Sequence, residues 1–128
     1  MQTTKKLFAL LIAGTLLLSL ACTKNGEPTY TIEYRIENAD DYLRTINYMD
    51  ASNTMVGFGY DANSSVASKT ITVTKPFVAE LDVYAENRSL RDRTYQLVIL
   101  VDGVPMANKT LYIGIFDYDS ANLKFALE

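Results

Sequence analysis

The stretch Tyr95-Gln96-Leu97-Val98-Ile99-Leu100-Val101-Asp102-Gly103-Val104 decides the fold of this chain. Its first part is apolar at almost every position, which predicts a central β-strand that is covered on both faces near its end. Asp102-Gly103 then predicts a two-residue type I′ hairpin turn, because that turn needs positive φ at both central residues. The chain from Val104 to Ile115 is predicted to run back as an edge strand, since Pro105 cannot donate a backbone hydrogen bond.

Segments on either side of this hairpin alternate apolar and polar residues, which is the pattern of a strand with one buried face. The alternation is clearest from Tyr30 to Glu37 and from Val78 to Ala85. Further strands are predicted at 42–49, 55–60, 70–74 and 123–127, separated by turns rich in Asp, Asn, Ser and Gly. After residue 21, no stretch shows helical periodicity of useful length. The sequence therefore predicts an all-β fold, a single antiparallel β-sandwich of seven or eight short strands.

The N-terminal segment has the features of a secretory signal peptide. Lys5 and Lys6 precede an apolar run from Leu7 to Leu20 of about 14 residues, which is too short to cross a bilayer as a helix. Ala21-Cys22 follows that run, and Cys22 is the only cysteine in the sequence. We therefore predict a cleaved signal peptide at 1–21, a short tether at 22–28 and a folded domain at 29–128.

This N-terminal arrangement resembles that of bacterial lipoproteins, in which a small residue precedes a cysteine that is diacylated and becomes the new N-terminus. The resemblance implies lipidation of Cys22 and attachment to a membrane of the cell envelope through that lipid. An Asp after the cysteine would resemble the inner-membrane retention signal of enterobacteria, and Thr23 stands there instead. We expect attachment to the outer membrane, and the domain could lie on either its periplasmic or its external face. Lys24 and Glu27 are similar to the charged export tags of Bacteroidetes surface lipoproteins.

The order of strand motifs resembles the extracytoplasmic domain of the mycobacterial MmpS family. The matching pieces are Tyr34-Arg35-Ile36-Glu37, Ile46-Asn47-Tyr48, Leu81–Asn87 and Ile99–Val104. The resemblance implies an immunoglobulin- or transthyretin-like sandwich and a role beside large lipid-exporting membrane transporters. The sequence has one cysteine where that family has a pair, and a predicted cleaved leader where it has a transmembrane anchor. The resemblance therefore supports the fold more strongly than it supports a transporter partner.

Composition narrows the classes of function. The leader carries two lysines and no acidic residue, so residues 22–128 keep ten basic and fifteen acidic residues, a net charge of −5. Nucleic acid is therefore not an expected partner. The sequence has no histidine, which removes the usual general base, and its single cysteine leaves few transition-metal ligand sets. We expect a protein that is not an enzyme and that holds neither a cofactor nor a metal.

Aspartates in the predicted turns leave one metal alternative open. Their oxygen atoms suit Ca²⁺ if the turns converge, whereas the same side chains nucleate turns without any ion. We favour the role in turns. The residues concerned are Asp40, Asp41, Asp61, Asp117 and Asp119.

Arg88, Arg91 and Arg93 form a cluster of positive charge in an acidic domain. Guanidinium groups in one loop suit an anionic headgroup, a glycan carboxylate or an acidic protein patch. Glu86 and Asp92 lie among them, so the alternative is a solvated loop of mixed charge.

Tyrosine is abundant, and its position in the alternating pattern separates two groups. Those that share parity with apolar core positions are predicted to be structural: Tyr30, Tyr34, Tyr48 and Tyr95. The candidates for surface contact with sugars or proteins are Tyr84, Tyr112 and Tyr118. In addition, Asp119-Ser120-Ala121 resembles the short O-glycosylation motif of Bacteroidetes, which implies that Ser120 is a possible acceptor.

These features predict a non-enzymatic, lipid-anchored binding module of the cell envelope. It would dock on, or assist, a membrane transport or envelope complex through a protein partner of unknown identity. The alternative is a structural or adhesive surface lipoprotein that self-assembles, or binds glycans, through its edge strands and tyrosine-bearing loops.

Overall fold

The computed structural model describes residues 26–128, which form eight β-strands. The predicted signal peptide, Cys22 and residues 23–25 of the tether lie outside the described residues. Within 26–128, the chain has no helix that is long and apolar enough to cross a membrane. The strands are β1 (Tyr30–Glu37), β2 (Leu43–Met49), β3 (Met55–Gly57), β4 (Val66–Val73), β5 (Phe77–Glu86), β6 (Arg93–Val101), β7 (Val104–Ile113) and β8 (Tyr118–Leu127).

The strands form two four-stranded sheets. Sheet A has the order β4-β1-β6-β7 and sheet B the order β3-β2-β5-β8, and every neighbouring pair is antiparallel. Only the β2–β3 and β6–β7 connections are hairpins, and the other connections cross from one sheet to the other. The described residues therefore confirm the predicted all-β fold, an antiparallel sandwich with eight strands.

The strand registers place the connections at two opposite ends of the sandwich. The β1–β2, β3–β4, β5–β6 and β7–β8 connections lie at one end, which we call the loop pole. The other end, the terminal pole, holds residues 26–29, the remaining connections and Glu128. Because β6 has nine residues and a strand rises about 3.3 Å per residue, the two poles are about 30 Å apart.

The core lies between the inner faces of the two sheets. The alternation predicted for β1 and β5 is confirmed, because their inward residues are buried and their intervening residues are more exposed. In β6, Leu97 to Leu100 are all buried, which confirms that this strand is covered on both faces near its end. Two buried tyrosines of sheet A are hydrogen-bonded: Tyr34 Oη donates to the Met49 carbonyl at 2.7 Å, and Tyr95 Oη donates to Asp40 Oδ1 at 2.6 Å.

The predicted hairpin joins β6 to β7. Asp102 and Gly103 have φ values of 49° and 80°, both positive as a type I′ turn requires. The turn is also tied to β1, because the Asp102 amide donates to the Thr31 carbonyl at 2.9 Å and the Thr31 amide donates to Asp102 Oδ1 at 2.8 Å. The hairpin prediction is confirmed, and β7 is an edge strand as expected.

Several strand boundaries differ from the sequence prediction. β4 begins at Val66 rather than at residue 70, and β8 begins at Tyr118 rather than at residue 123. Both are edge strands, whose solvated side allows the polar residues that look like loop in sequence. β3 ends at Gly57 rather than at residue 60. The Phe58 amide still donates to the Ile46 carbonyl of β2 at 3.1 Å, and Phe58 and Tyr60 pack against the core. β7 ends at Ile113, two residues early.

Both edge strands of sheet A carry a lysine on their inner side. Lys69 of β4 lies opposite buried Tyr34, and Lys109 of β7 lies opposite buried Leu97. Lys109 Nζ donates to the Asn122 carbonyl of β8 at 3.4 Å. An inward lysine at a sheet edge disfavours pairing with another chain, because the added strand would bury the charge.

We predict that Gly103→Ala lowers the free energy of unfolding by about 1 kcal/mol, because a Cβ is disfavoured at positive φ. Space is not the cause, since no atom lies within 4 Å of the added Cβ. Urea unfolding measures the change, and Gly59→Ala is the matched control because its Cβ site is equally open and its φ is not positive. Equal losses in both variants would contradict this explanation.

Candidate functional site

The loop pole gathers most of the predicted binding residues. The β5–β6 loop (87–92) and the β7–β8 loop (114–117) run side by side there, because β5 neighbours β8 in sheet B and β6 neighbours β7 in sheet A. Arg88 and Arg91 lie in the first loop, and Tyr118 begins the strand after the second. The site is therefore built from two connections that cross between the sheets.

Asn87 holds these two loops together. Its side chain is 2% exposed, and its Nδ2 donates to the Arg91 carbonyl at 2.7 Å and to the Gly114 carbonyl at 2.9 Å. Its Oδ1 accepts bonds from the amide and the hydroxyl of Ser89, at 3.0 and 2.7 Å. Its own backbone amide donates to the Asp117 carbonyl at 2.8 Å. One buried amide thus fixes the backbone of both loops.

The strand that precedes Asn87 explains its burial. The inward positions of β5 continue through Ala85, and Asn87 occupies the next position of the same parity. A buried amide must be hydrogen-bonded, since an unsatisfied polar group in the interior is costly. At a strand end, the nearest groups that lack a ladder partner are the carbonyls and amides of the adjoining loops.

A shallow cleft of about 160 Å³ lies between the two loops. It is smaller than the pockets that enclose most organic ligands, which begin at about 300 Å³. Tyr84 borders this region, with its ring centre 6.3 Å from that of Tyr118. The residues that line the cleft are Glu86, Asn87, Arg88, Phe116, Asp117 and Tyr118.

Glu86 is the electrostatic centre of this cleft. Its Oε1 accepts a bond from Tyr84 Oη at 2.9 Å, and its Oε2 accepts one from Arg88 Nη2 at 3.1 Å. Arg44 Nε lies 3.9 Å from the same carboxylate. The bonds from Tyr84 and then Arg88 lower the pKa of Glu86, and the Tyr84–Glu86 bond raises the pKa of Tyr84.

The three arginines predicted to act together lie in different surroundings. Arg88 is paired with the carboxylate of Glu86. Arg93 Nη1 lies 3.6 Å from Asp40 Oδ2, and the Arg93 guanidinium lies 4.9 Å from the centre of the Tyr42 ring. Arg91 is exposed, and none of the ion pairs within 26–128 includes it. The three guanidinium groups therefore do not converge on one site.

The predicted surface tyrosines fall on two faces. Tyr84 and Tyr118 lie on the outer face of sheet B, where exposed Ser120 is in register with Tyr84. Tyr112 lies on the outer face of sheet A, where its hydrogen bond to Asp92 raises its pKa. The tyrosines predicted to be structural are buried or packed against the core: Tyr30, Tyr34, Tyr48 and Tyr95.

Two of the predicted turn aspartates make the hydrogen bonds expected of turn residues, whereas Asp119 lies within strand β8. Asp40 Oδ1 accepts the Tyr42 amide at 3.0 Å as well as the Tyr95 hydroxyl, and Asp61 Oδ1 accepts the Asn63 amide at 3.0 Å. In the part of the chain that the structure describes, no three His, Cys, Asp or Glu residues are grouped so that they could hold a metal ion.

The most exposed apolar residues of this pole were missed by the sequence analysis. Leu90 is 76% exposed, Ile115 51% and Phe116 67%, and we call these three residues the apolar tip. Phe116 also has a φ of 52°, a left-handed conformation that costs a non-glycine residue about 1–2 kcal/mol. The available signal was the pair Ile115-Phe116 next to Gly114, which the sequence analysis assigned in part to the preceding strand.

The fold and this pole define a class: an all-β sandwich domain with paired loops braced by a buried asparagine. Comparison with known proteins adds no family to this description. No protein-family model matches the chain, and no curated protein sequence matches it significantly.

We predict that Asn87→Ala lowers the free energy of unfolding by about 2 kcal/mol, because it leaves buried loop carbonyls without a donor. Hydrogen exchange should accelerate in both loops, 87–92 and 114–117, while the central strand β6 stays protected. Exposed Asn108→Ala is the matched control, with an expected change within about 0.5 kcal/mol. Faster exchange in the first loop alone would contradict the proposed brace.

We also predict a pH dependence from Glu86. Because its folded pKa is lowered, its stabilising effect is complete above the unfolded value of about 4.3 and is lost as pH falls through the folded pKa. The stability difference between wild type and Glu86→Gln should therefore be constant near neutral pH and shrink below about pH 4. Chemical unfolding across that range measures it, and a difference that grows in acid would reverse the sign.

Proposed function

We propose that this chain is a non-enzymatic, lipid-anchored binding module of a bacterial cell envelope, and that it binds its partner with the loop pole. The observation that carries the proposal is the separation of the two poles. The described chain starts at the terminal pole with residue 26, four residues after Cys22 in the sequence, where the lipid is predicted. The braced loops, the exposed tyrosines and the apolar tip lie at the opposite pole.

This arrangement suits a domain that presents one end to a partner. A lipid at the N-terminus holds the terminal pole near the membrane surface, and the rigid sandwich carries the loop pole about 30 Å away. The loops are fixed by Asn87 rather than left to move, which reduces the ordering cost of binding. Position of the anchor and bracing of the loops therefore support the same role.

The chemistry of the chain favours binding over catalysis. The sequence contains no histidine, and Glu86 in the cleft is held as a carboxylate by two hydrogen bonds that lower its pKa. A general acid or base at neutral pH needs a pKa near that pH. The lowered pKa of Glu86 is therefore unsuited to proton transfer.

Edge-strand assembly, the other candidate function, has weaker support. The inward lysines Lys69 and Lys109 disfavour pairing with another chain at both edges of sheet A. At one edge of sheet B, β3 has only three residues. β8 is longer, but the Asn122 carbonyl on it already accepts a bond from Lys109.

We expect the unlipidated domain to sediment as a monomer at high concentration, and ordered multimers would favour the assembly function instead.

The anchor is tested by metabolic labelling of cells with an alkyne fatty acid. Wild type and Thr23→Ala should be labelled and partition into the detergent phase, whereas Cys22→Ala should be unlabelled and soluble. Cross-linked complexes with envelope proteins should also weaken in Cys22→Ala, because losing the anchor lowers the effective concentration at the membrane. Labelling that survives Cys22→Ala, or complexes absent from wild type, would refute the proposal.

The membrane face is measured by protease treatment of intact cells. We propose the outer membrane as the site of attachment, from Thr23 in the position after the cysteine. Digestion in intact cells assigns the domain to the external face, and digestion only after the outer membrane is breached assigns it to the periplasm. Recovery of the protein with the inner membrane would refute the assignment.

A further inference from the structure

We infer that the apolar tip is an anchor that inserts into an apolar pocket with a positively charged rim on a partner protein. This inference rests on the proposed function and names the kind of partner that the loop pole fits. Leu90, Ile115 and Phe116 are exposed at the ends of two loops whose backbones Asn87 fixes. Rigid, exposed apolar side chains on a braced base are suited to fill a preformed pocket.

Phe116 combines high exposure with an unfavourable backbone conformation. The residue is two-thirds exposed and also adopts a left-handed conformation, with φ of 52°. Stability alone would favour glycine or asparagine at such a φ and a polar side chain at such an exposure. A bulky aromatic residue here is disfavoured on both counts in the isolated domain. Strained, exposed residues of this kind are enriched where a protein binds.

The negative charge around the apolar tip favours a partner surface with basic residues. Residues 86–92 and 114–120 carry four carboxylates and two guanidinium groups, a net charge of −2. Apolar loops that insert into anionic lipid are normally accompanied by Lys and Arg, which is the opposite balance. Asp92 and Asp117 flank the tip and complement basic residues at a pocket rim.

The length of the tether disfavours contact between the apolar tip and the membrane that holds the lipid. From Cys22 to Tyr30 there are eight residue steps, which span at most about 29 Å when fully extended. Turning the tip towards that membrane would lift the terminal pole about 30 Å above it. The tether would have to be stretched to its limit, so the tip is directed to something other than the anchoring bilayer.

The area of the tip also disfavours a symmetric contact with a second copy. Its three residues expose on the order of 400 Å². A stable protein interface buries about 800 Å² on each partner. Tip-to-tip contact alone would supply only about half of that area, whereas a pocket on a larger partner encloses the tip and adds contacts with the surrounding loops.

The first test is photo-cross-linking in cells with benzoylphenylalanine in the full chain, at position 116 or 90. The control position is Val104, which is 56% exposed at the terminal pole. We expect one discrete protein adduct from 116 and 90 that position 104 does not give. Adducts of a second copy, of lipid, or equal adducts from all three positions would overturn the inference, as would the absence of any adduct.

The second test uses the purified protein identified in that adduct. Phe116→Asn should weaken binding at least about tenfold, while its melting temperature stays equal to or above that of wild type, since Asn tolerates this φ. Val104→Asn is the matched control and should bind as wild type does. Unchanged binding by Phe116→Asn would overturn the inference, and complexes that persist in this variant would leave the proposed function standing.

Two further measurements separate the charged rim from lipid. Raising the salt concentration from about 50 to about 500 mM should weaken the complex several-fold, because it screens the acidic loops from the basic rim. Salt-insensitive binding would overturn the charge assignment. Vesicles of phosphatidylethanolamine and phosphatidylglycerol should not co-sediment with the unlipidated domain. Binding to these vesicles that is lost in Phe116→Asn would overturn the protein partner in favour of a membrane.

Discussion

Two buried hydroxyl groups set how the sheets of this sandwich face each other. Tyr34 and Tyr95 are fully buried in sheet A, and burial raises the pKa of both phenols, so each hydroxyl keeps its proton and donates it. Tyr34 donates to the Met49 carbonyl of sheet B, and Tyr95 donates to Asp40 in the β1–β2 turn. A sliding of the sheets would leave these groups unsatisfied in the interior, which is costly. The sequence has one cysteine, so no internal disulfide can share this task.

The loop pole follows from the second of these bonds. Asp40 accepts the Tyr95 hydroxyl and also pairs with Arg93, which stacks on Tyr42. The β1–β2 turn is thereby fastened to the start of β6, directly beside the β5–β6 loop. Asn87 then fastens that loop to the β7–β8 loop. Three of the four connections at the pole are thus braced by a neighbour, and the exposed residues lie on this braced backbone.

Most of the fold could be predicted from sequence because its information is local. Alternation in β1 and β5 and the Asp102-Gly103 pair each report a backbone constraint within a few residues. The first residues of edge strands β4 and β8 were not predicted, since a strand with one solvated edge tolerates loop-like polar residues. The site could not be predicted for a different reason: its geometry joins residues from two connections that are far apart in sequence, the β5–β6 and β7–β8 loops. One local signal was present, because Asn87 falls on the inward parity of β5, where a polar residue implies a hydrogen-bonded role.

Within 26–128, a positive backbone φ at a bulky side chain occurs only at the loop pole. Apart from glycine, left-handed residues within 26–128 are Asn38, Asn53, Asp102 and Phe116. Asn and Asp tolerate this conformation through local hydrogen bonds, so the first three agree with their turns. Phe116 alone conflicts with its backbone, and it does so where the side chain is exposed and the adjoining loop is braced. Conflicts between local preference and global fold are expected at functional sites, where binding compensates for lost stability. The conformation of Phe116 is therefore a second structural reason, beside the separation of the two poles, to propose this pole as the binding surface.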